Sequence, residues 1–183
     1  EESGLNTKDE WGYTSFMVAC KFGHKDVVKV LLDNSERIEF NTKCRIFNMT
    51  ALMWACNGGH KDVVQLLLDH SERIDLNARD NTGRTAFMIA CNNGQKDVVQ
   101  LLLDHSENIE LNARTNNGST AFMLACIHGY KYIVQLLLNH SDKNIELNAR
   151  NISDEMTAFM LACHNFHKDV VILLLNQSVR IKL

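Results

Sequence analysis

Hydrophobic and polar positions recur along this chain with a period of about 35 residues. A short apolar block such as Thr85–Cys91 is followed by a glycine-containing turn and then by an apolar run such as Val98–Leu103. The block occurs five times, and its cysteines stand at positions 20, 56, 91, 126 and 163. Self-similarity at such a spacing is typical of repeat architectures, in which each unit covers the apolar face of its neighbour.

Each repeat predicts two short helices joined by a turn. Thr85 suits the N-cap of the first helix, because its hydroxyl can accept an otherwise unpaired amide. Gly94 permits the left-handed conformation that ends this helix, and Asp97 lies favourably at the positive end of the second helix. The second helix is apolar around most of its circumference, so neighbouring repeats must cover it. We therefore predict an all-α solenoid forming a single domain, 1–183, with repeats at about 9–43, 44–79, 80–114, 115–150 and 151–183.

The repeat resembles the ankyrin repeat, whose pattern runs D-x-x-G-x-T-P-L-H-x-A-A-x-x-G-H before an apolar helix ending in L-L. Asp9–Thr14 matches the opening of that pattern, Gly23–His24 and Gly59–His60 match the turn, and Leu66–Leu68 matches the end. The resemblance covers nearly the whole chain. It implies an ankyrin-repeat solenoid of stacked helix-turn-helix units with hairpin tips, and a general role in binding protein partners.

Several residues depart from the ankyrin pattern. Methionine at the family's histidine position, as at Met88, predicts apolar packing in place of a polar network between repeats. Phe166 replaces the turn glycine of the fifth repeat and predicts a strained or remodelled turn. Ile172 stands where earlier repeats have Lys29 or Gln65. We therefore expect the C-terminal face to pack against further repeats or against another copy of the chain.

Positions that differ between repeats should carry the specific function. In the ankyrin family such positions line the concave face and the turn tips that contact protein partners. Aromatic and arginine side chains are enriched at the centres of protein interfaces. The expected partner-binding residues are Trp11, Tyr13, Phe22, Arg45, Ile46, Thr82, Arg84, Asn93, Asn117, Ile127 and His128.

Two functions remain open at this point. The resemblance favours a scaffold or adaptor module that binds a protein partner through the concave face and tips. The alternative is a structural or mechanical array without a tight ligand, within a larger protein. Trp11 could equally serve to cover the open end of the array, and Trp54 is assigned to the core between repeats.

Other functional classes find no support in the residue pattern. The run Asp69–Ser71 contains the residue types of a hydrolytic triad, but consecutive positions cannot form the required relay. No phosphate-binding glycine loop or nucleophile elbow is present, so we expect no enzymatic activity and no cofactor. Cys20 and His24 are separated by a glycine, which weakens any metal-binding pair. The net charge of −3, with acids and bases interspersed, and the lack of a long apolar run argue against nucleic-acid binding and membrane insertion.

The cysteines and the linker asparagines each have more than one possible role. Five of six cysteines share one position and are expected in the core, and their reduced thiols fit a cytoplasmic location. Cys44, in a predicted tip, is the one cysteine for which exposure and reactivity stay open as an alternative to burial. The linker asparagines resemble those that asparaginyl hydroxylases modify in animal ankyrin repeats, and the alternative is that they bond turn backbone groups. They are Asn41, Asn77, Asn112 and Asn148.

Overall fold

The computed structural model describes residues 4–140, 144–177 and 181. In these residues ten α-helices form five consecutive pairs, and no β-structure occurs beyond an isolated bridge between Arg150 and Thr157. The helices are α1 (Ser15–Lys21), α2 (Lys25–Leu32), α3 (Ala51–Gly58), α4 (Lys61–Leu68), α5 (Ala86–Asn92), α6 (Lys96–Asp104), α7 (Ala121–Ile127), α8 (Lys131–Asn139), α9 (Ala158–His164) and α10 (Lys168–Leu175). Single 3-10 turns occupy Gly4–Asn6, Ser35–Arg37 and Ser106–Asn108. The expected all-α architecture is confirmed.

The helices stack in two rows. The odd-numbered helices pack on one another from α1 to α9, and the even-numbered helices do the same from α2 to α10. We call the odd-numbered row the inner row and the even-numbered row the outer row; neighbours in the inner row pack more closely. The expected helical solenoid is thus confirmed.

Each inner helix begins at a threonine, as predicted. The Thr85 hydroxyl accepts a hydrogen bond of 3.4 Å from the amide of Met88, and the equivalent threonine of every other repeat caps its helix in the same way. A cap of this kind stabilises a helix by about 1 kcal/mol. Met88 itself is buried with Phe87 and Cys91, so the predicted apolar packing at the family's histidine position is confirmed in this repeat.

The turn between paired helices is where consecutive repeats interlock. Gly94 has a φ of +74°, as predicted, and the ring of Tyr130 from the next repeat lies directly over it. One repeat further on, His167 Nε2 lies 2.7 Å from the carbonyl oxygen of Ile127 and can donate to it. The turn therefore joins two repeats as well as two helices.

The fifth repeat keeps this turn without its glycine. Phe166 adopts a φ of +60°, close to that of Gly94, and its side chain is 92% exposed. The turn is therefore strained, since left-handed backbone is unfavourable for a residue with a Cβ. It is not remodelled, because its φ stays close to that of the glycine turns.

Linker asparagines form a second set of bonds between repeats. The Asn77 side-chain amide donates to the carbonyl of Asn108 at 2.9 Å, and the Glu110 amide donates to Asn77 Oδ1 at 2.9 Å. Asn41 and Asn112 make the equivalent pairs of bonds. For these three residues the backbone-bonding alternative is confirmed, and the bonded groups belong to the following repeat.

The alternative of an exposed Cys44 is wrong. Cys44 is 1% exposed, and its amide donates to the carbonyl of Met49 in the same tip. The exposed cysteine is Cys163, in the last inner helix, which corrects its expected core position. The thiols at the other four equivalent positions are free and buried, and burial raises their pKa above the usual value; they are Cys20, Cys56, Cys91 and Cys126.

No helix in the described residues is long and apolar enough to cross a bilayer.

Candidate functional site

The loops that precede the inner helices, here called tips, form a continuous edge beside the inner row. They occupy 9–13, 44–49, 80–84, 115–119 and 151–156. Adjacent tips are joined by main-chain hydrogen bonds, for example from the Asn116 amide to the Thr82 carbonyl at 2.9 Å and from the Ile152 amide to the Asn117 carbonyl at 2.8 Å. The tips and the inner row with the turns that follow its helices form one surface, which we call the inner surface.

All eleven predicted binding residues lie on the inner surface. Trp11, Phe22, Arg45, Ile46, Thr82, Asn117 and His128 are exposed, and Tyr13, Arg84, Asn93 and Ile127 are half-buried. Phe22 has the most exposed ring of the three aromatic residues in this set, at 59%. The residues that vary between repeats therefore share one face, while those that recur are mostly buried.

An aromatic cluster surrounds a lysine at the N-terminal end of this surface. Lys21 Nζ lies 4.6 Å from the ring centroid of Tyr13 and 4.6 Å from that of Trp54, and it donates to the Tyr13 hydroxyl at 3.4 Å. The Phe22 ring is 5.7 Å from the same ammonium, and Phe47 meets Trp54 edge-on at 5.8 Å. We call Tyr13, Phe22, Phe47 and Trp54 the aromatic cluster. Cation–π contacts hold the ammonium in one place.

Sequence reasoning placed Trp54 in the core and did not include Lys21 among the binding residues. Trp54 is buried, at 8% exposed, but its ring forms the floor of the aromatic cluster. Its indole Nε1 is buried and lacks an acceptor among the described residues. The available signal was that Trp54 is the aromatic residue at a position otherwise held by aliphatic ones such as Ile89 and Leu124.

A groove of about 390 Å³, which we call the central groove, lies between the tips and inner helices of the third and fourth repeats. It is lined by Asn81, Thr82, Arg84, Asn92, Thr115, Asn116, Asn117 and Leu124. Three of the predicted binding residues therefore meet in one groove. Its lining is mostly amides and hydroxyls, which can donate and accept hydrogen bonds.

Asp80 holds the tip beside this groove. Its carboxylate accepts from the amides of Thr82 at 2.9 Å and Arg84 at 2.8 Å, and the Arg84 guanidinium lies 2.8 Å from its second oxygen. Burial raises the pKa of Asp80, but these hydrogen bonds outweigh that effect and hold the pKa below its usual value. The charge of Asp80 is thus satisfied within the tip.

Polar side chains at the ends of the inner helices bond to one another across repeats. The Asn93 side-chain amide donates to Asn57 Oδ1 at 2.9 Å, and that of Asn92 donates to Asn93 Oδ1 at 3.0 Å. His128 Nε2 lies 3.1 Å from Asn92 Oδ1. Burial, and to a lesser degree the charge of His167, lowers the pKa of His128. We call Asn57, Asn92, Asn93 and His128 the polar ladder.

Three further histidines have structural partners. His70 Nδ1 lies 3.0 Å from the carbonyl of Leu66 and can cap the end of α4, and His105 and His140 repeat this arrangement. Within the ranges that the structure describes, no group of three histidine, cysteine, aspartate or glutamate side chains could hold a metal ion.

Comparison with known families identifies the architecture. The family model described as ankyrin repeats (3 copies) matches residues 16–115, 72–151 and 107–183. The chain belongs to the ankyrin-repeat family, whose members generally act as protein–protein interaction modules without enzymatic activity. A search of curated proteins finds no match.

Proposed function

We propose that this chain is a scaffold or adaptor module that binds a protein partner through the inner surface. The observation that carries the proposal is the separation of recurring from varying residues. Recurring side chains such as Met88 and Ala90 are buried between repeats, whereas the varying ones are displayed together along the tips and inner row. A rigid stack with one variable face is suited to selective protein recognition.

The predicted contacts have side chains suited to an interface. Trp11, Phe22 and Ile46 present exposed apolar area that a partner would cover, and such aromatic anchors supply much of the binding energy in protein complexes. Arg84 and Asn117 in the central groove would fix the orientation of the partner through hydrogen bonds. We propose the whole predicted set of eleven residues as the contact surface.

Partner capture with matched variants tests this proposal. The wild-type chain and the variant Trp11→Ala/Tyr13→Ala/Phe22→Ala would be immobilised and exposed to extract, and captured proteins quantified by mass spectrometry. The control is Val30→Ala/Tyr132→Ala, which removes exposed apolar side chains from the outer row. We expect a partner that binds wild type and control but is lost from the triple variant. Equal capture by all three, or loss only from the control, would overturn the proposal.

The structural-array alternative has its own supporting observation at the C-terminal end. Met160 and Leu175 are each more than two-fifths exposed in the last helix pair, although their equivalents in earlier repeats are buried. Ile172, 46% exposed, stands where earlier repeats have lysine or glutamine. An exposed apolar face favours association. In this alternative the chain serves as a spacer, and the triple variant changes its stability without affecting capture.

Phe166 limits which kinds of partner could cover the exposed apolar face at the C-terminal end. In the preceding repeat, a Cβ at Gly129 would lie 2.4 Å from the His167 ring, and Phe166 carries a Cβ at the equivalent position. A following repeat with a histidine, glutamine or tyrosine at that place would therefore meet this Cβ. We propose that this face is covered instead through self-association of the chain. Sedimentation velocity at increasing concentration should show a dimer that Ile172→Gln reduces; a strict monomer would rule this out.

We infer a cytoplasmic location from the cysteines. All six are free in the structure, and free thiols persist in reducing compartments. Trapping of thiols in intact cells, followed by mass spectrometry, should recover unmodified cysteines. Recovery of the exposed Cys163 as a mixed disulfide would contradict the inference.

A further inference from the structure

Lys21 is an ordered cation without an anionic partner in the described part of the chain. Its ammonium is held by the Tyr13 and Trp54 rings and by the Tyr13 hydroxyl, and no ion pair joins it to a described carboxylate. The side chain is half-buried, so much of its conformational freedom is already lost. A carboxylate that binds there does not have to order a flexible lysine first.

Acidic residues are absent from the inner row. The five ten-residue segments 15–24, 51–60, 86–95, 121–130 and 158–167 contain no aspartate or glutamate, although the chain has 22 acidic residues. Each segment comprises an inner helix and the turn that follows it. An anionic ligand on the inner row would thus meet no repulsion from the surface beneath it.

The tips of the middle repeats are likewise poor in free carboxylates. Arg45 is exposed and its guanidinium donates to the carbonyl of Glu10. Arg84 is paired with Asp80, whose side chain is fully buried, so the third tip presents no free carboxylate. The exposed acids of the tips lie in the first and last tips. Glu10 is in the first tip, whose main chain bonds Arg45, so the part of the surface without free carboxylates is the inner row and the second to fourth tips.

The polar ladder continues the surface from the aromatic cluster towards the central groove. Asn57 and Asn93 connect the second and third repeats, and Asn92 and His128 connect the third and fourth. Amide side chains can bond both the N–H and the carbonyl groups of an extended peptide main chain. The surface therefore offers a cation on an aromatic platform followed by a row of neutral donors and acceptors.

We propose that the partner segment recognised by the inner surface is an acidic peptide, with one of its carboxylates paired to Lys21 on the aromatic cluster. This rests on the proposed function and specifies the chemistry of the partner. The peptide main chain then crosses the polar ladder, and its further acids face Arg45. A nucleic acid fits less well, because binding a phosphate backbone requires many cations and the chain carries a net charge of −3.

Selection from a library of random short peptides tests the proposal with no assumption about the natural partner. Peptides would be selected against the wild-type chain, and the most enriched peptide would be synthesised and titrated by fluorescence anisotropy. Three variants would be titrated beside the wild type: Lys21→Met, which keeps the apolar stem, Lys21→Arg, which keeps the charge, and the outer-row control Lys61→Met.

We expect the selected peptides to be rich in aspartate and glutamate. Binding should weaken about tenfold in Lys21→Met, change by less than about threefold in Lys21→Arg, and stay unchanged in Lys61→Met. Affinity should also fall as salt is added. Selection of neutral or basic peptides, no selection at all, equal binding by Lys21→Met, or tighter binding of a single-stranded oligonucleotide would each overturn the proposal.

The two proposals can fail separately. If extract proteins are still lost from the triple variant but the selected peptides are not acidic, only the partner chemistry is wrong. If neither peptides nor extract proteins distinguish the triple variant from its control, the proposed function is wrong as well.

Discussion

The ring of Tyr130 covers Gly94 so closely that a Cβ on this glycine would lie 2.8 Å from the ring atom Cε1. Gly94 also has a φ of +74°, which a residue with a Cβ rarely adopts. One position thus meets two requirements: it ends an inner helix and receives a side chain of the next repeat.

Gly94→Ala should therefore destabilise the chain by about 1–3 kcal/mol, through backbone strain together with displacement of the Tyr130 ring. Urea unfolding followed by circular dichroism gives this value. Gly4→Ala is the control, because its added Cβ would meet its nearest neighbour only at 3.7 Å. Equal stability of the two variants would show that the turn relaxes freely.

Phe166→Gly should have the opposite effect. The substitution removes the left-handed strain at a φ of +60° and deletes a ring that is 92% exposed, so we expect a gain of about 1 kcal/mol. Phe166→Ala deletes the ring but keeps the strain and should leave stability nearly unchanged. The same unfolding experiment compares them, and a loss of stability in the glycine variant would mean that the ring makes stabilising contacts.

Asn77→Ala should cost about 1–2 kcal/mol, because it removes two hydrogen bonds to the following repeat and leaves the Glu110 amide and the Asn108 carbonyl without this partner. Asn77→Asp keeps the acceptor for the Glu110 amide but loses the donor, so an intermediate loss is expected. Thermal unfolding would rank the three proteins. Wild-type stability in Asn77→Ala would contradict a structural role for the linker asparagines.

Asp80→Asn should show a loss of stability that depends on pH. The folded-state pKa of Asp80 lies below its usual value, so the carboxylate stabilises the fold above the unfolded-state pKa of about 4 and this contribution is lost as pH falls through the folded-state pKa. At neutral pH we expect a loss of about 1–2 kcal/mol, shrinking as the pH is lowered below about 4. Urea unfolding at a series of pH values measures it. A difference that is constant or grows with acid would contradict the assignment.

Thiol reactivity should distinguish Cys163 from the other cysteines. Cys163 is exposed, whereas Cys44 is buried and four further thiols are buried with a raised pKa. An aromatic disulfide reagent should modify one thiol quickly in the folded chain and the rest only on unfolding. Cys163→Ser should abolish the fast phase and Cys44→Ser should leave it intact; the reverse pattern would show that Cys44 is the accessible thiol and contradict this assignment.

Local chemistry explains why much of the fold could be predicted from sequence. Thr85 and Gly94 act through their own repeat, as a helix cap and a left-handed turn, and their roles follow from residue type and spacing. The asparagine bonds were harder to predict, because the groups that Asn77 satisfies lie more than thirty residues away in the next repeat. Sequence reveals the recurrence of such residues but not the distance between two stacked units.

The candidate site, like the fold, could be predicted from sequence only in part. Variation between repeats identified the exposed residues of the inner surface, such as Phe22 and Arg45. It missed the role of Trp54 and Lys21, because their contacts depend on how the tips of the first two repeats lean over α3. Exposure of Cys44 stayed open because the residue lies in a tip, but its side chain is buried.

The central claim is that recurring residues build the stack and varying residues bind the partner. Amide hydrogen exchange, measured by mass spectrometry on the chain alone and on its complex with the captured partner or selected peptide, tests it most directly. Added protection is predicted in the tips and at the ends of α1, α3, α5 and α7, with none in α4, α6 and α8. Protection concentrated on those outer helices, or confined to α10, would contradict the account.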